Sequence, residues 1–98
     1  MKNNILQWAK DKGILDNATP MSQFIKTLEE TSELGTAIQN NNLAEIQDAI
    51  GDIYVTICIQ AELNGLDIDT CIESAYEVIS KRSGKMINGT FVKDEWAL

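Results

Sequence analysis

Histidine is absent from this chain, proline occurs once and cysteine twice. Without histidine, and with Cys58 and Cys71 too far apart for a CxxC pair, a zinc site has no ligand set. Each cysteine falls among apolar residues at helical spacing, which reads as a buried thiol in a reducing cytosol. No low-complexity run, internal repeat or linker-like stretch interrupts the 98 residues, so residues 1–98 are expected to form one small domain without room for a second core. Positive charge is scarce. Eight Lys and Arg stand against 15 Asp and Glu, for a net charge of -7, which excludes a bare nucleic-acid or anionic-membrane surface because those partners need clustered cations. An acidic protein still binds a polyanion when a divalent cation sits between them. Long apolar runs are missing too. "IYVTICIQAEL" is short of the ~20 apolar residues of a membrane span, and "MKNNILQWAKDKG" returns to charge too soon for a signal peptide. A soluble cytoplasmic protein with no nucleic-acid and no membrane partner is expected.

What is present is helical patterning. Ile5, Leu6, Trp8 and Ala9 indicate a short first helix closing near Gly13. In "NATP", Thr19 suits an N-cap and Pro20 the first helical position. From there periodicity holds to about Gln39, and Phe24, Leu28, Thr31, Gly35 and Ile38 follow a four-three-four-three spacing expected of a core-facing stripe. The run Asn40 to Asn42 breaks that helix, and Asn42 suits the cap of a third helix from about Leu43 to Leu63, stopped by Asn64-Gly65. A fourth starts at Asp67 or Asp69, carries Ile68, Cys71, Ile72, Ala75 and Ile79 on one face, and ends before Gly84 with Lys81 and Arg82 in its last turn. The tail "KMINGTFVKDEWAL" has Asn88-Gly89 between short apolar runs and reads as an irregular segment or a small hairpin. The expected fold class is all-α, a four-helix-type bundle. The third helix is apolar on too many sides for two short neighbours to cover, so self-association would complete its core.

The acids between Glu29 and Asp52 raise the functional question. On a wheel of ~100° per residue, Lys26, Glu30, Glu33 and Ala37 line up, with Glu29 beside them. Taken alone, that helix has a solvated acidic face with a Lys26–Glu30 pair. The third helix changes the reading. Its stripe of Glu45, Asp48 and Asp52 continues into Val55, Ile59 and Leu63, so its acids run into an interior surface. Buried carboxylates are seldom tolerated unless paired or holding a metal, and Lys26 is essentially the one cation nearby in sequence. Glu30/Glu33 and Glu45/Asp48 are each spaced i, i+3, and two antiparallel helices on a short connection bring such faces together. Ligation by oxygen alone selects a hard ion, Mg²⁺ with Mn²⁺ as a substitute.

These residues resemble a known pattern. "EETSE" followed by "EIQD" is similar to the EExxE…ExxD signature of the MazG-like, all-α nucleoside triphosphate pyrophosphohydrolases. Lys26 ahead of the first motif, "DAIGD" beyond the second, and "KRSGKMINGTFVK" extend the likeness from about Trp8 to Lys93. The resemblance implies a single MazG-like helical domain that binds Mg²⁺ through Glu30, Glu33, Glu45 and Asp48. It also implies cleavage of a nucleoside triphosphate between the α and β phosphates, giving a monophosphate and pyrophosphate, in nucleotide-pool sanitation or control. Asp52 is similar to a further acid near the metals, and Glu29 is the doubled acid of the first motif. Family members are usually dimers or tetramers with substrate near a subunit interface, which implies a homodimer or homotetramer here.

Phosphoryl transfer needs positioning and charge neutralisation more than a protein nucleophile, so a carboxylate cluster with cations suits it. Lys26 and Lys85 are candidates for contacting phosphates, and Glu29 is a further candidate for binding substrate. Trp8 or Phe91 is a candidate for stacking on a base. The connection between the motifs, Leu34 to Ala44, is compact, and with no histidine the water must be activated by a carboxylate or by metal alone. Two other classes fit the same residues. One is a non-catalytic, metal-dependent nucleotide-binding module, and the other a helical adaptor whose acids are merely solvated. A di-iron bundle fits poorly, since its Glu-x-x-His pairs are missing.

Overall fold

The computed structural model describes residues 1–94. Within them the chain is mostly helical: α1 (Lys2–Asp11), α2 (Ile14–Asn17), α3 (Pro20–Gln39), α4 (Leu43–Leu63) and α5 (Ile68–Ser80) precede a hairpin of β1 (Gly84–Ile87) and β2 (Thr90–Lys93). No described helix is long and apolar enough to cross a membrane. The chain divides into two compact units, Met1–Ile68 and the segment from Asp69 onward.

Local chemistry explains the element boundaries of the first unit. Gly13, at φ +78°, takes the left-handed conformation that ends α1 and starts α2, where a Cβ would be strained. The sequence pattern did not show α2, because four residues are too few to display a period. Thr19 and Ser22 form a reciprocal capping box at the start of α3: the Ser22 amide donates to Thr19 Oγ1 at 3.1 Å and the Thr19 amide to Ser22 Oγ at 2.9 Å, with Pro20 at the first position as expected. At the other end, Asn41 adopts φ +52°. The Asn41 amide donates to the Ile38 carbonyl and the Asn42 amide to the Ala37 carbonyl, each at 3.1 Å, the two bonds of a Schellman termination. Asn42 then caps α4, its Oδ1 accepting from the Glu45 amide at 3.1 Å. Gly65 (φ +70°) ends α4 in the same way, with Leu66 N bonded to the Ala61 carbonyl.

The three-residue connection makes α3 and α4 a tight antiparallel pair, and Gln60 Nε2 donates to the Pro20 carbonyl at its open end. Both α1 and α2 also pack on α4, and Lys2 pairs with Asp67 at 2.6 Å. Much of the interior is small: Ala9, Ala37, Ala49, Thr56, Cys58 and Ala61 are buried, joined by Ile59 and Ile68. Small side chains let helix backbones approach closely, so short polar groups reach across.

One expectation about α3 is overturned. Phe24, Leu28 and Ile38 are about half exposed (48%, 52% and 54%), and Thr31 and Gly35 are exposed with them. The inward face carries Gln23, Thr27, Glu30, Leu34 and Ala37. Its spacing is the expected one, displaced by one residue, or about 100° of helix rotation. The reason is the polar groups that α3 and α4 share, which hold the helix in a phase that apolar periodicity alone would not choose. Cys58 is buried as expected, whereas Cys71 is only half-buried.

In the second unit, α5 ends at Ser80, so Lys81 and Arg82 follow the helix instead of closing it. Of its expected apolar face, Ile68 is buried and Cys71 half-buried, while Ile72, Ala75 and Ile79 are exposed. The hairpin is antiparallel, with Gly84 opposite Lys93 and Met86 opposite Phe91. Asn88 (φ +50°) and Gly89 (φ +82°) are both left-handed at its turn, the backbone a two-residue type I′ turn requires. At the open end Ser83 Oγ donates to Asp94 Oδ2 at 2.6 Å. The rest of the tail, residues 95–98, lies outside the described residues.

Candidate functional site

Glu30 and Glu33 lie one helical turn apart on α3, and Asp52 faces them from α4. Carboxylate oxygens of the three lie within 4.8 Å of one another. Glu30 is well enclosed: its side chain is 12% exposed, and its Oε2 is buried with no hydrogen-bond partner among the described residues. Its other oxygen, Oε1, is 3.8 Å from Lys26 Nζ, at the limit of an ion pair. Burial, the contact with Glu33, and the negative charges of Glu33 and Asp52 push the Glu30 carboxyl above its ordinary value, with Lys26 opposing them. When both glutamates are ionised, acceptors face each other. A proton on Glu30 turns that contact into a hydrogen bond, so the neutral form is favoured.

Glu45 and Asp48 occupy the first two turns of α4, and neither joins the tight group of three. Instead they line a cavity of about 350 Å³ together with Glu33, Asp52, Ser32, Thr36 and Ala49. Glu33 and Asp52 are common to the cluster and the cavity, whereas Glu45 and Asp48 line the cavity without joining the cluster. The placement of Asp52 among the closest three was less plain in sequence than the two i, i+3 pairs, although its membership of the Glu45–Asp48 stripe pointed to it.

Of the other expected site residues, Lys26 and Trp8 join Glu30 and Asp52 around a hollow of about 210 Å³. Glu29 is exposed and outside the cluster, where its Oε2 accepts from Lys26 Nζ at 3.4 Å. Lys26 therefore sits between Glu29 and Glu30. Trp8 on α1 is 48% exposed and lines a cavity of about 330 Å³ with Asn4, Ile5, Val55 and Asp52. Asp52 is thus shared by that apolar hollow and the acidic one. Lys85 stands exposed on β1, in the second unit, as does Phe91 on β2.

Sequence reasoning missed the polar seam beside the acids. Gln23 and Thr56 are 5% and 4% exposed, and they occupy positions where an apolar residue would ordinarily fill a helix interface. Gln23 Nε2 donates to the Thr56 carbonyl at 3.0 Å, and Thr27 Oγ1 and Thr56 Oγ1 are 3.0 Å apart. Thr56 lies one turn beyond Asp52 on the same face, a spacing that could have pointed to it.

The donor set suits a hard divalent cation. It is all oxygen, it carries more negative charge than the neighbouring Lys26 offsets, and it includes a buried acceptor that no donor among the described residues satisfies. A family model of the MazG nucleotide pyrophosphohydrolase domain matches residues 18–87, a span that contains both acidic motifs. The chain belongs to the MazG nucleotide pyrophosphohydrolase family. A curated relative, an uncharacterized 18.2 kDa protein from the rep-hol intergenic region of Haemophilus phage HP1 (strain HP1c1), is 42% identical over 64 residues. That alignment covers 65% of this chain and 39% of the phage protein, so the chain spans about two fifths of its relative's length. No solved structure matches.

Proposed function

We propose that this MazG-family chain hydrolyses nucleoside triphosphates, ribo- or deoxyribo-, between the α and β phosphates to give a monophosphate and pyrophosphate, in nucleotide-pool sanitation or control. The observation that carries the reading is the buried, partnerless Glu30 Oε2 within reach of Glu33 and Asp52. A polar atom in that state costs about 1–3 kcal/mol, and more when charged, a cost that a bound cation removes. Glu30, Glu33 and Asp52, with Glu45 and Asp48 across the cavity, would hold Mg²⁺ or Mn²⁺. When bound, such an ion neutralises phosphate charge and lowers the pKa of a water.

The chain's own residues supply the rest of the assignment. A carboxylate of the cluster takes the proton of the attacking water, because the chain has no histidine. Lys26, whose ammonium already lies between two carboxylates, meets phosphate oxygens. Trp8 and Val55 flank the nucleoside in the hollow that shares Asp52 with the acidic cavity. Phe24, Leu28 and Ile38, left outward on α3, are assigned to self-association as a homodimer or homotetramer.

The test is a product assay over a panel of NTPs and dNTPs with Mg²⁺. Monophosphate and pyrophosphate are expected, and turnover should vanish in Glu30→Gln, Glu33→Gln, Glu45→Gln and Asp48→Asn proteins whose circular dichroism is native. Nucleotide bound but unchanged would make the chain a binding module instead. Release of orthophosphate would place the cleaved bond elsewhere, and near-normal rates in two of the variants would overturn the ligand set.

A further inference from the structure

The face of α3 that meets α4 is polar along a continuous stretch. From the open end inward, Gln60 Nε2 reaches the Pro20 carbonyl at 2.9 Å and Gln23 Nε2 reaches the Thr56 carbonyl at 3.0 Å. Next come the Thr27 and Thr56 hydroxyls, 3.0 Å apart, and one turn further the Glu30–Glu33–Asp52 cluster. Thr56 Oγ1 also donates to the Ile53 carbonyl at 2.7 Å. That bond uses the only proton of Thr56, so the bond between the two threonines takes its proton from Thr27, whose single hydroxyl proton is shared with the Gln23 carbonyl at 3.2 Å. Thr56 is thus anchored to its own helix, and its oxygen accepts from α3 at a shorter distance than the Gln23 carbonyl that competes for the same Thr27 proton.

We propose that Thr56, with Thr27 and Gln23, is a positioning residue that fixes the register of α3 against α4 and so the separation of Glu30 from Asp52. Apolar contacts are non-directional, and an interface of small side chains such as Ala37 and Ala49 tolerates sliding. A buried hydrogen bond does not, because displacement leaves its donor or acceptor unsatisfied. Thr27 is one turn from Glu30 and Thr56 one turn from Asp52, so the bond lies directly behind the two acids. It holds them together against mutual repulsion when no cation is present. The same bond explains why α3 turns Gln23 and Thr27 inward while Phe24 and Leu28 stay outside.

The proposal rests on the cation-site reading above, and its test separates the two. Mn²⁺ affinity is measured by isothermal titration on the full chain for the native protein, Thr56→Val, Thr56→Ser and Thr27→Val, with thermal melts of each in chelator. Thr56→Val keeps the shape and removes the accepting oxygen. We expect Mn²⁺ binding to weaken about tenfold, in the range seen when groups that orient metal ligands are removed, and Thr56→Ser to restore it. A purely structural role would lower the melting temperature of Thr56→Val and leave its affinity unchanged within twofold, which would overturn the proposal. Should Thr56→Val not fold, Thr27→Val decides by the same criterion, and loss of fold in both assigns the hydroxyls to stability alone and also overturns it. Failure of the native protein to bind Mn²⁺ would instead sink the cation site itself, and with it this inference.

Discussion

Glu30 is held where its charge is least welcome. Its carboxyl is pushed up chiefly by burial and by the neighbouring acids, so the native protein keeps this proton to a higher pH than the unfolded chain does. Between the two values the native state binds more protons, and stability falls as pH rises. The contribution is fully present below the ordinary glutamate value and is lost as pH climbs through the raised one. We therefore expect the melting temperature of chelator-treated protein to decline across that window, and Glu30→Gln to remove this component of the slope. Added Mn²⁺ should reverse it, because the cation needs the carboxylate form. Melts at stepped pH, with and without the ion, provide the check. Of the site's chemistry, the sequence made the residue types and their i, i+3 spacing legible. It did not display the unpartnered oxygen, which depends on how deeply one side chain is enclosed by another helix.

At the scale of elements, the ends were easier to read than the faces. Thr19-Pro20, the Asn40–Asn42 run and Asn64-Gly65 mark helix boundaries through bonds made within a few residues, so local sequence suffices. The phase of α3 depends on contacts with residues about thirty positions away, such as Thr27 with Thr56, and periodicity is blind to these when the inward groups are polar. The boundary bonds are themselves testable. Asn42 Oδ1 accepts from the amide of Glu45, so Asn42→Ala should cost about 1 kcal/mol of stability. Urea denaturation would report it as a lower midpoint with an unchanged slope. Because the capped amide belongs to Glu45, the same variant is expected to weaken Mn²⁺ binding modestly.

At the scale of the whole molecule, the outward stripe of α3 is the feature that a lone chain leaves unanswered. Phe24, Leu28 and Ile38 expose about half of their surface, and Ile50 on α4 is 55% exposed. Large apolar side chains left exposed along one helix stripe commonly mark an interface. On the proposed self-association, the native chain should run as a dimer or tetramer by light scattering, and Leu28→Glu should shift it to monomer. A native chain that is monomeric at all concentrations would remove that assignment while leaving the acid cluster untouched. Membership of the MazG family, by contrast, rests on the match over residues 18–87 and is independent of the assembly.

The three-residue link between α3 and α4 also has a kinetic consequence. The helices that carry the acids are consecutive, so closing a short loop is enough to bring Glu30 toward Asp52. Even a ten-residue loop closes in roughly 10–100 ns, and helical chains of low contact order fold in microseconds to milliseconds. A polypeptide leaving the ribosome can thus gather its carboxylates once Leu63 has emerged, while the residues that follow are still being synthesised.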